Sequence, residues 1–279
     1  MLTPSQCGRI DVVLVSPRNP LNIGAAARAM ANFGFSRLSI VAPFAQNWME
    51  AKSAVGAPDL LRDAKVYETL AEAVAHCTLV LGTGSLDRRR PVQAILGLPQ
   101  AAAQVRRALA IHSEGAPGLD FETWDSSSPH EQSRARVALV FGSEKHGLTS
   151  DDLSWCHALI AIETCEAQPS MNLGQAVAVC LYEISRNPEP SAPSTAQLPE
   201  PLKIKGSEHP DTEQLDRLAA LVEETMEAVN YSTRGMRSAN GEALRVLLRR
   251  LMPNEADLRR MMGLFRRILW QLGRGSGKV

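Results

Sequence analysis

Residues 168–186 read Gln-Pro-Ser-Met-Asn-Leu-Gly-Gln-Ala-Val-Ala-Val-Cys-Leu-Tyr-Glu-Ile-Ser-Arg, and the second half of this stretch has the pattern of an amphipathic helix. Its apolar face consists of residues three and four positions apart: Leu173, Ala176, Val177, Cys180, Leu181 and Ile184. The apolar run 158–162 before it predicts a strand. The polar loop 163–172 therefore ends at a helix N-terminus, whose free N–H groups and dipole suit a polar ligand. An ordinary strand–loop–helix connection accounts for the same pattern.

Strand and helix patterns alternate along the first two thirds of the chain. Strands are predicted at 10–16, 37–42, 64–67, 78–81, 136–141 and 158–162, and helices at 22–32, 48–54, 70–76 and 101–111, the first of these capped by Asn22 and closed at Gly34. This alternation predicts an α/β fold with a mainly parallel sheet covered on both faces. Ligands of such sheets bind beyond the carboxyl ends of the strands, which singles out the loops 83–87, 142–147 and 163–172.

The last third of the chain has a different organisation. Residues 188–210 hold six prolines and no periodicity, which is typical of a linker. Helical patterns follow at 211–229, at 242–252 and after a cap at Asn254. The sequence thus predicts an α/β domain at 1–187, a linker at 188–210 and a small all-α domain at 211–279. The segment 112–134, rich in Ser, Pro and Gly, predicts a long surface loop.

Charge and cysteine content restrict the class of protein. The net charge is zero, but residues 234–279 hold eleven basic and three acidic residues, whereas 188–233 hold nine acidic and three basic ones. The basic tail is a candidate surface for a polyanion, and a solvated helix face explains it equally well. Five scattered cysteines fit reduced thiols. With no signal-peptide pattern and no membrane-spanning run, we expect a soluble cytoplasmic protein.

Several common sites are poorly supported. Gly82-Thr83-Gly84 lacks the third glycine of a dinucleotide fingerprint, and no phosphate-binding loop pattern or nucleophile elbow is present. Cys156, His157 and Cys165 lack the paired spacing of a zinc site, so no metal is expected.

Arg28 stands in an alanine-rich helix pattern. It either reaches solvent or supplies a fixed guanidinium for a phosphate or hydroxyl, beside small residues that allow a close approach by a partner chain or ligand.

Three motifs together resemble the SPOUT superfamily of knotted methyltransferases, and within it the 2'-O-ribose RNA methyltransferases of the TrmH and TrmJ type. They are Asn22-Ile23-Gly24 with Arg28 and Gly34, then the run from Leu139 to Leu148 containing Gly142-Ser143-Glu144-Lys145-His146-Gly147, and Ser170-Met171-Asn172-Leu173 with Ala176-Val177. The resemblance spans about residues 10–186, and the basic helical tail looks like the TrmJ C-terminal extension. It implies a C-terminal trefoil knot in the α/β domain.

The resemblance also implies a cofactor and a set of site residues. S-adenosylmethionine would be held at the knot by residues of the three loops: Thr83, Gly84, Ser85, Gly142, Ile162, Pro169, Ser170 and Met171. A homodimer is implied, with Arg28 reaching towards the partner's cofactor. Arg28 would orient the ribose hydroxyl, Asn22 would support the site, Glu144 would order the second loop, and Ser170 would lie between cofactor and acceptor.

The implied activity is methylation of a tRNA pyrimidine at position 32 of the anticodon loop. A ribosomal RNA 2'-O-methyltransferase and a non-catalytic RNA-binding protein are the alternatives. RNA contacts are expected from eight arginines: Arg28, Arg88, Arg89, Arg90, Arg245, Arg249, Arg266 and Arg267. The chain departs from the family in having Ile162-Glu163 where Ile-Pro is usual, and Met171 where leucine is common, a change of similar volume.

Overall fold

A computed structural model of the chain describes residues 1–44, 48, 57–84, 91–110, 135–186, 209–231 and 236–275. Its centre is a sheet in which every described strand pair is parallel. The seven strands are β1 (Ile10–Val15), β2 (Arg37–Val41), β3 (Lys65–Tyr67), β4 (Leu79–Thr83), β5 (Ala94–Gly97), β6 (Val137–Phe141) and β7 (Ala158–Ala161), in the order β3-β2-β1-β6-β4-β7-β5. The predicted α/β class is confirmed; the knot stays a prediction.

Helices cover both faces of this sheet. They are α1 (Pro4–Cys7), α2 (Pro20–Phe33), α3 (Pro58–Arg62), α4 (Leu70–Val74), α5 (Leu98–Ala110), α6 (Ser150–Ser154) and α7 (Leu173–Ser185). Alternate residues of β1 point to opposite sides: Val12 and Leu14 pack with α2, α5 and α7, whereas Val13 and Val15 pack with α4. Burial on both faces explains why these strands have continuous apolar runs.

Helix α2 begins earlier than predicted. Asn19, and not Asn22, is its N-cap, because the Asn19 side chain accepts a 3.0 Å hydrogen bond from the Leu21 N–H and Pro20 occupies the first turn. The amide of Asn22 is therefore released for another role. At the other end Gly34 closes the helix in the left-handed conformation, φ 78°, as predicted.

Other differences involve short elements and one strand boundary. Helices α3 and α6 and the short strand β5 were not predicted, because four or five residues carry too little periodicity. Strand β4 continues through Thr83, so Gly82 lies inside the sheet; a Cβ there would lie 2.7 Å from the Cys156 Sγ. The predicted loop at 112–134, and all of the predicted helix at 48–54 except Trp48, lie outside the described residues.

Three helices follow the predicted linker, of which only residues 209 and 210 are described. They are α8 (Thr212–Ala228), α9 (Arg237–Leu251) and α10 (Glu255–Gly275), with a small core of Leu215, Leu218, Ala219, Leu248 and Leu258. The start of α8 is attached to the α/β part, because the backbone and hydroxyl of Thr212 both donate to the Cys77 carbonyl, at 3.0 and 2.9 Å. None of the described helices is long and apolar enough to cross a membrane.

Candidate functional site

A cleft of about 500 Å³ lies where β6, β4 and β7 end. These strands are neighbours in the sheet, so the three loops singled out from the sequence converge on one place. Seven of the eight predicted cofactor residues line it: Thr83, Gly84, Gly142, Ile162, Pro169, Ser170 and Met171. The eighth, Ser85, lies outside the described residues.

The cleft also has lining residues that were not predicted individually. Phe141, Leu159 and Ile160 provide apolar surface from the strand ends, while Lys145 and Thr164 add polar groups. The sequence pointed to this region, because ligands of parallel sheets bind beyond the carboxyl ends of the strands and these residues lie in or beside the three loops. The sequence could not show which of their side chains face the cleft.

The loop at 142–147 is folded back tightly on itself. The Gly147 N–H donates to the Ser143 carbonyl at 2.8 Å, and Gly147 has a positive φ of 65° that favours glycine. A Cβ on Gly142 would lie 2.2 Å from the carbonyl carbon of Gly147. Both glycines are thus required by the turn, which leaves the backbone close to the cleft.

Glu144 ties this loop to the start of α2. Its carboxylate accepts hydrogen bonds from the Arg18 N–H at 2.8 Å, the Asn19 N–H at 3.1 Å and the Asn22 Nδ2 at 2.8 Å. Partial burial opposes ionisation of Glu144, but these hydrogen bonds prevail and lower the pKa of its carboxyl below the ordinary value. Glu144 is therefore an anion that holds the second loop in place.

Asn22 extends the connection to the third motif. Its Oδ1 accepts a 2.8 Å hydrogen bond from the Nδ2 of Asn172. The Oδ1 of Asn172 in turn caps α7, accepting from the Gly174 N–H at 2.9 Å. Side chains of all three motifs thus form one chain of hydrogen bonds beside the cleft. Asn172 belonged to a quoted motif but was not predicted as a site residue.

The third loop closes without the usual Ile-Pro start. Glu163 is exposed, and the Thr164 hydroxyl donates to the Pro169 carbonyl at 3.1 Å, across the loop. The Gln168 N–H also donates to the Cys165 carbonyl at 2.9 Å. These bonds shape the loop so that Pro169, Ser170 and Met171 line the cleft.

Arg28 is exposed on α2 and is not among the residues that line the cleft of its own chain. The small residues around it serve an internal contact, because a Cβ on Gly174 of α7 would lie 2.6 Å from the Ala25 Cβ. Ala26 and Ala27 are fully buried. The alanines that could have admitted another chain therefore allow α7 to pack closely against α2.

The predicted RNA-binding arginines divide into three groups. Arg266 and Arg267 are exposed on α10, whereas Arg88, Arg89 and Arg90 lie outside the described residues. Arg249 is 1 % exposed and stacks on the Trp155 ring at 4.9 Å, contrary to the expected solvent-facing position. Burial lowers the pKa of Arg249 to about 10.

Arg245 also departs from the expected position. Its Nε donates to the Ser154 Oγ at 2.9 Å, and its Nη2 pairs with the Asp151 carboxylate. Its guanidinium lies 4.8 Å from the centre of the Trp155 ring. The helical periodicity predicted outward arginines, but α9 packs on α6, and this contact draws Arg245 and Arg249 inward.

Two polar clusters lie away from the cleft. His157 is close to Cys156, but burial raises the pKa of that thiol to about 12, and the Nδ1 of His157 accepts from the Val80 N–H at 3.1 Å. Among the described residues, Asp11, His76 and Cys77 have potential metal-ligand atoms within 4.8 Å of one another. The Asp11 carboxylate already pairs with Arg37 at 2.6 Å, which disfavours a cation there.

Comparisons with known proteins identify similar chains. Residues 9–182 match the SpoU rRNA Methylase family. The tRNA (cytidine/uridine-2'-O-)-methyltransferase TrmJ of Klebsiella pneumoniae is 31% identical over 256 residues, covering 91% of this chain and 94% of that one. The tRNA (cytidine/uridine/adenosine-2'-O-)-methyltransferase TrmJ of Pseudomonas aeruginosa is 38% identical over 178 residues, 63% of this chain and 60% of that one. The crystal structure of TrmJ from Z. mobilis superposes with a TM-score of 0.72 at 26% identity, covering 92% of this chain and 98% of that chain.

Proposed function

This chain belongs to the SpoU rRNA Methylase family, and from that premise we propose that it is a tRNA 2'-O-ribose methyltransferase using S-adenosylmethionine. The observation that carries the proposal is the cleft that is lined by the three loops at the strand ends and braced by the hydrogen-bonded chain Asn172–Asn22–Glu144, which joins all three motifs. Relatives matched over 94% of their length are tRNA (cytidine/uridine-2'-O-)-methyltransferases, which supports tRNA as the substrate class. Within tRNA we propose a pyrimidine at position 32 of the anticodon loop.

The residues of the cleft fit the cofactor. The volume of about 500 Å³ is in the usual range of small-molecule sites, about 300–1,000 Å³, and its wall combines apolar side chains with many polar ones. Thr83, Gly142 and Ile162 line the cleft, and we propose that their backbone groups would contact an adenosine and an amino acid moiety. S-adenosylmethionine supplies an electrophilic methyl group when bound, and no metal takes part in this proposal.

The remaining task of the protein is to place a ribose 2'-hydroxyl in line with that methyl group. A hydroxyl is a weak nucleophile, so orientation and charge placement supply much of the rate. Arg28 orients the hydroxyl and the adjacent phosphate. Because a guanidinium stays protonated in proteins, it is a poor proton acceptor, and the phosphate takes the proton. Ser170, exposed at the cleft, lies between cofactor and acceptor, while Asn22 and Glu144 hold the loops.

A homodimer completes this site. Arg28 is exposed on α2 and does not line the cleft of its own chain, so we propose that a second copy supplies it. The dimer would then join each cleft to an arginine of the other protomer. We expect the protein to act in the cytoplasm, where tRNA is processed.

The helical C-terminal part provides a surface for RNA phosphate. Arg259, Arg260, Arg266 and Arg267 are exposed on α10. Contacts of arginine with phosphate release counterions, so binding should weaken steeply with salt. Arg88, Arg89 and Arg90 precede the cleft residue Pro91 in the sequence, and we retain them as candidate phosphate contacts.

The decisive experiment is transfer of labelled methyl from S-adenosylmethionine to unmodified total tRNA and, separately, to ribosomal RNA, followed by nucleoside mapping. A 2'-O-methylated pyrimidine at position 32 is the expected product. Label in ribosomal RNA alone would favour the second candidate, a ribosomal RNA 2'-O-methyltransferase, which the description of the family supports. No transfer with intact cofactor binding would favour a non-catalytic RNA-binding protein.

A further inference from the structure

A second concave surface lies between α9 and the α/β part of the molecule. This groove has a volume of about 360 Å³ and is lined by Val92, Ser150, Ser154, Ala239, Glu242, Ala243, Val246, Leu247 and Arg250. We propose that it holds an unpaired base of the substrate RNA, from a nucleotide close to the one that is methylated. The inference rests on the proposed function, since it assigns a further contact to the same substrate.

The groove continues the wall of the cofactor cleft. Pro91 lines the cleft and its neighbour Val92 lines the groove; likewise Leu153 lines the cleft and Ser154 the groove. Consecutive Cα atoms are about 3.8 Å apart, so the two sites share walls in two separate chain segments. An RNA strand with one nucleotide at the cleft can therefore place a neighbouring nucleotide in the groove.

The groove is held in a fixed position relative to the cleft. Arg245 of α9 donates to the Ser154 hydroxyl at 2.9 Å and pairs with Asp151, both on α6. The Trp155 ring after α6 receives the guanidinium groups of Arg245 and Arg249, at 4.8 and 4.9 Å. Because α6 follows the second cleft loop in the chain, these contacts connect α9 to the cleft. A pre-formed groove of this kind binds a base at low conformational cost.

The chemistry of the lining suits a base better than a phosphate. Val92, Val246 and Leu247 offer apolar surface for the face of a base, and Arg250 offers a planar guanidinium for stacking or hydrogen bonding. The carboxylate of Glu242 accepts hydrogen bonds from exocyclic amino groups and repels phosphate. Val92 is 66% exposed and Leu247 38% exposed, so this apolar surface is uncovered in the single chain.

Filling the groove tests the proposal. Ala243 lines it and is exposed, and Ala243→Trp occupies the space of a base. The control is Ala220→Trp, at an exposed alanine of α8 that does not line the groove. We expect Ala243→Trp to weaken binding of unmodified tRNA and lower kcat/KM at least tenfold, with cofactor affinity and Tm as in the control. Equal tRNA affinity in both variants would overturn the groove assignment, and so would parallel losses of Tm and cofactor affinity in Ala243→Trp.

Crosslinking separates this proposal from the proposed function. An anticodon stem-loop RNA with 4-thiouridine at single positions beside nucleotide 32 is irradiated with the wild-type protein, and crosslinked peptides are sequenced. We expect crosslinks to Val92, Val246 or Leu247. Crosslinks at other residues, together with normal methyl transfer, would overturn the assignment of the groove as a base-binding site but not the proposed function. Absence of methyl transfer to any RNA overturns the proposed function, whereas crosslinks within the groove in that case would retain the base-binding site.

Discussion

Asn22 and Glu144 are 122 positions apart in the sequence, and the Asn22 Nδ2 donates a 2.8 Å hydrogen bond to the Glu144 Oε1. The two residues come from different motifs, and their contact joins the start of α2 to the tight loop after β6. Asn172 adds the third motif through its 2.8 Å hydrogen bond to Asn22. The cleft geometry thus depends on a short polar chain that can be tested one residue at a time.

Glu144→Gln should impair this connection. Glutamine keeps one acceptor oxygen but presents an NH₂ group to N–H donors, so at least one of the bonds from Arg18, Asn19 and Asn22 is lost. We expect kcat/KM to fall about ten- to a hundredfold, about 1.4–2.7 kcal/mol, with a weaker cofactor affinity by calorimetry. The exposed Glu166→Gln is the control. Wild-type kinetics in Glu144→Gln would show that the loop holds its shape without the anion.

Arg28→Ala should separate chemistry from cofactor binding. If Arg28 orients the ribose hydroxyl from the other protomer, methyl transfer should fall about a hundredfold or more, while the cofactor Kd changes less than about twofold. Arg107→Ala removes another exposed arginine, from α5, and serves as the control. Mixing Arg28→Ala with a cleft variant such as Gly142→Val should restore part of the activity in a heterodimer. Full transfer by Arg28→Ala alone would exclude this role.

Gly174→Ala should destabilise the contact between α2 and α7. The new Cβ would lie 2.6 Å from the Ala25 Cβ, and neither atom is on a flexible side chain. We expect a loss of about 1–3 kcal/mol in the free energy of unfolding, measured by urea denaturation. Gly263→Ala in α10 is the matched control, because nothing lies within 4 Å of its Cβ position. There alanine should stabilise the helix by up to about 1 kcal/mol. Similar effects at both glycines would contradict the packing argument.

Asp11 should make stability dependent on pH in the acid range. Burial raises the pKa of this carboxyl, but the His76 imidazole 3.5 Å away and the charge and hydrogen bond of Arg37 outweigh burial and lower the pKa overall. Its contribution is therefore complete above the ordinary carboxyl pKa of about 4 and is lost as the pH falls through the lower folded-state pKa. Asp11→Asn should be less stable at pH 7 by about 1–3 kcal/mol.

The difference between wild type and Asp11→Asn should narrow as the pH falls below about 4. Urea denaturation at several pH values measures it, with Asp59→Asn as the control, since the side chain of Asp59 is 74% exposed. If the difference in the free energy of unfolding between wild type and Asp11→Asn stayed constant down to the acid unfolding transition, the charge of Asp11 would add no stability.

Arg266→Gln combined with Arg267→Gln should weaken tRNA binding and reduce its salt dependence. Two phosphate contacts contribute about 1.4–1.8 to the slope of log K against log salt. Filter binding at several salt concentrations measures both effects. Arg249→Met is the comparison. Because Arg249 is 1 % exposed, it is not accessible to RNA phosphate, and its substitution should leave the slope of log K against log salt unchanged. An unchanged slope in the double variant would show that Arg266 and Arg267 do not contact RNA phosphate.

Much of the α/β fold could be predicted from local patterns. The strands at 10–16, 37–42 and 136–141 were predicted within one residue of β1, β2 and β6, because buried parallel strands are continuous apolar runs. Short elements such as β5 and α6 carry no such pattern. The cap at Asn19 was missed, and the helix was predicted to begin at Asn22, although a proline such as Pro20 is favoured in the first turn of a helix.

The sequence alone determined the class of sheet and the three loops beyond its strand ends, because each depends on neighbouring residues and on the periodicity of burial. Only the tertiary structure decided which distant side chains meet. It released Asn22 from capping and paired it with Glu144, and it buried Arg249 against Trp155 although the helical pattern faced it outward. These outcomes depend on how the elements pack in three dimensions, which is a property of the whole chain and not of any one stretch.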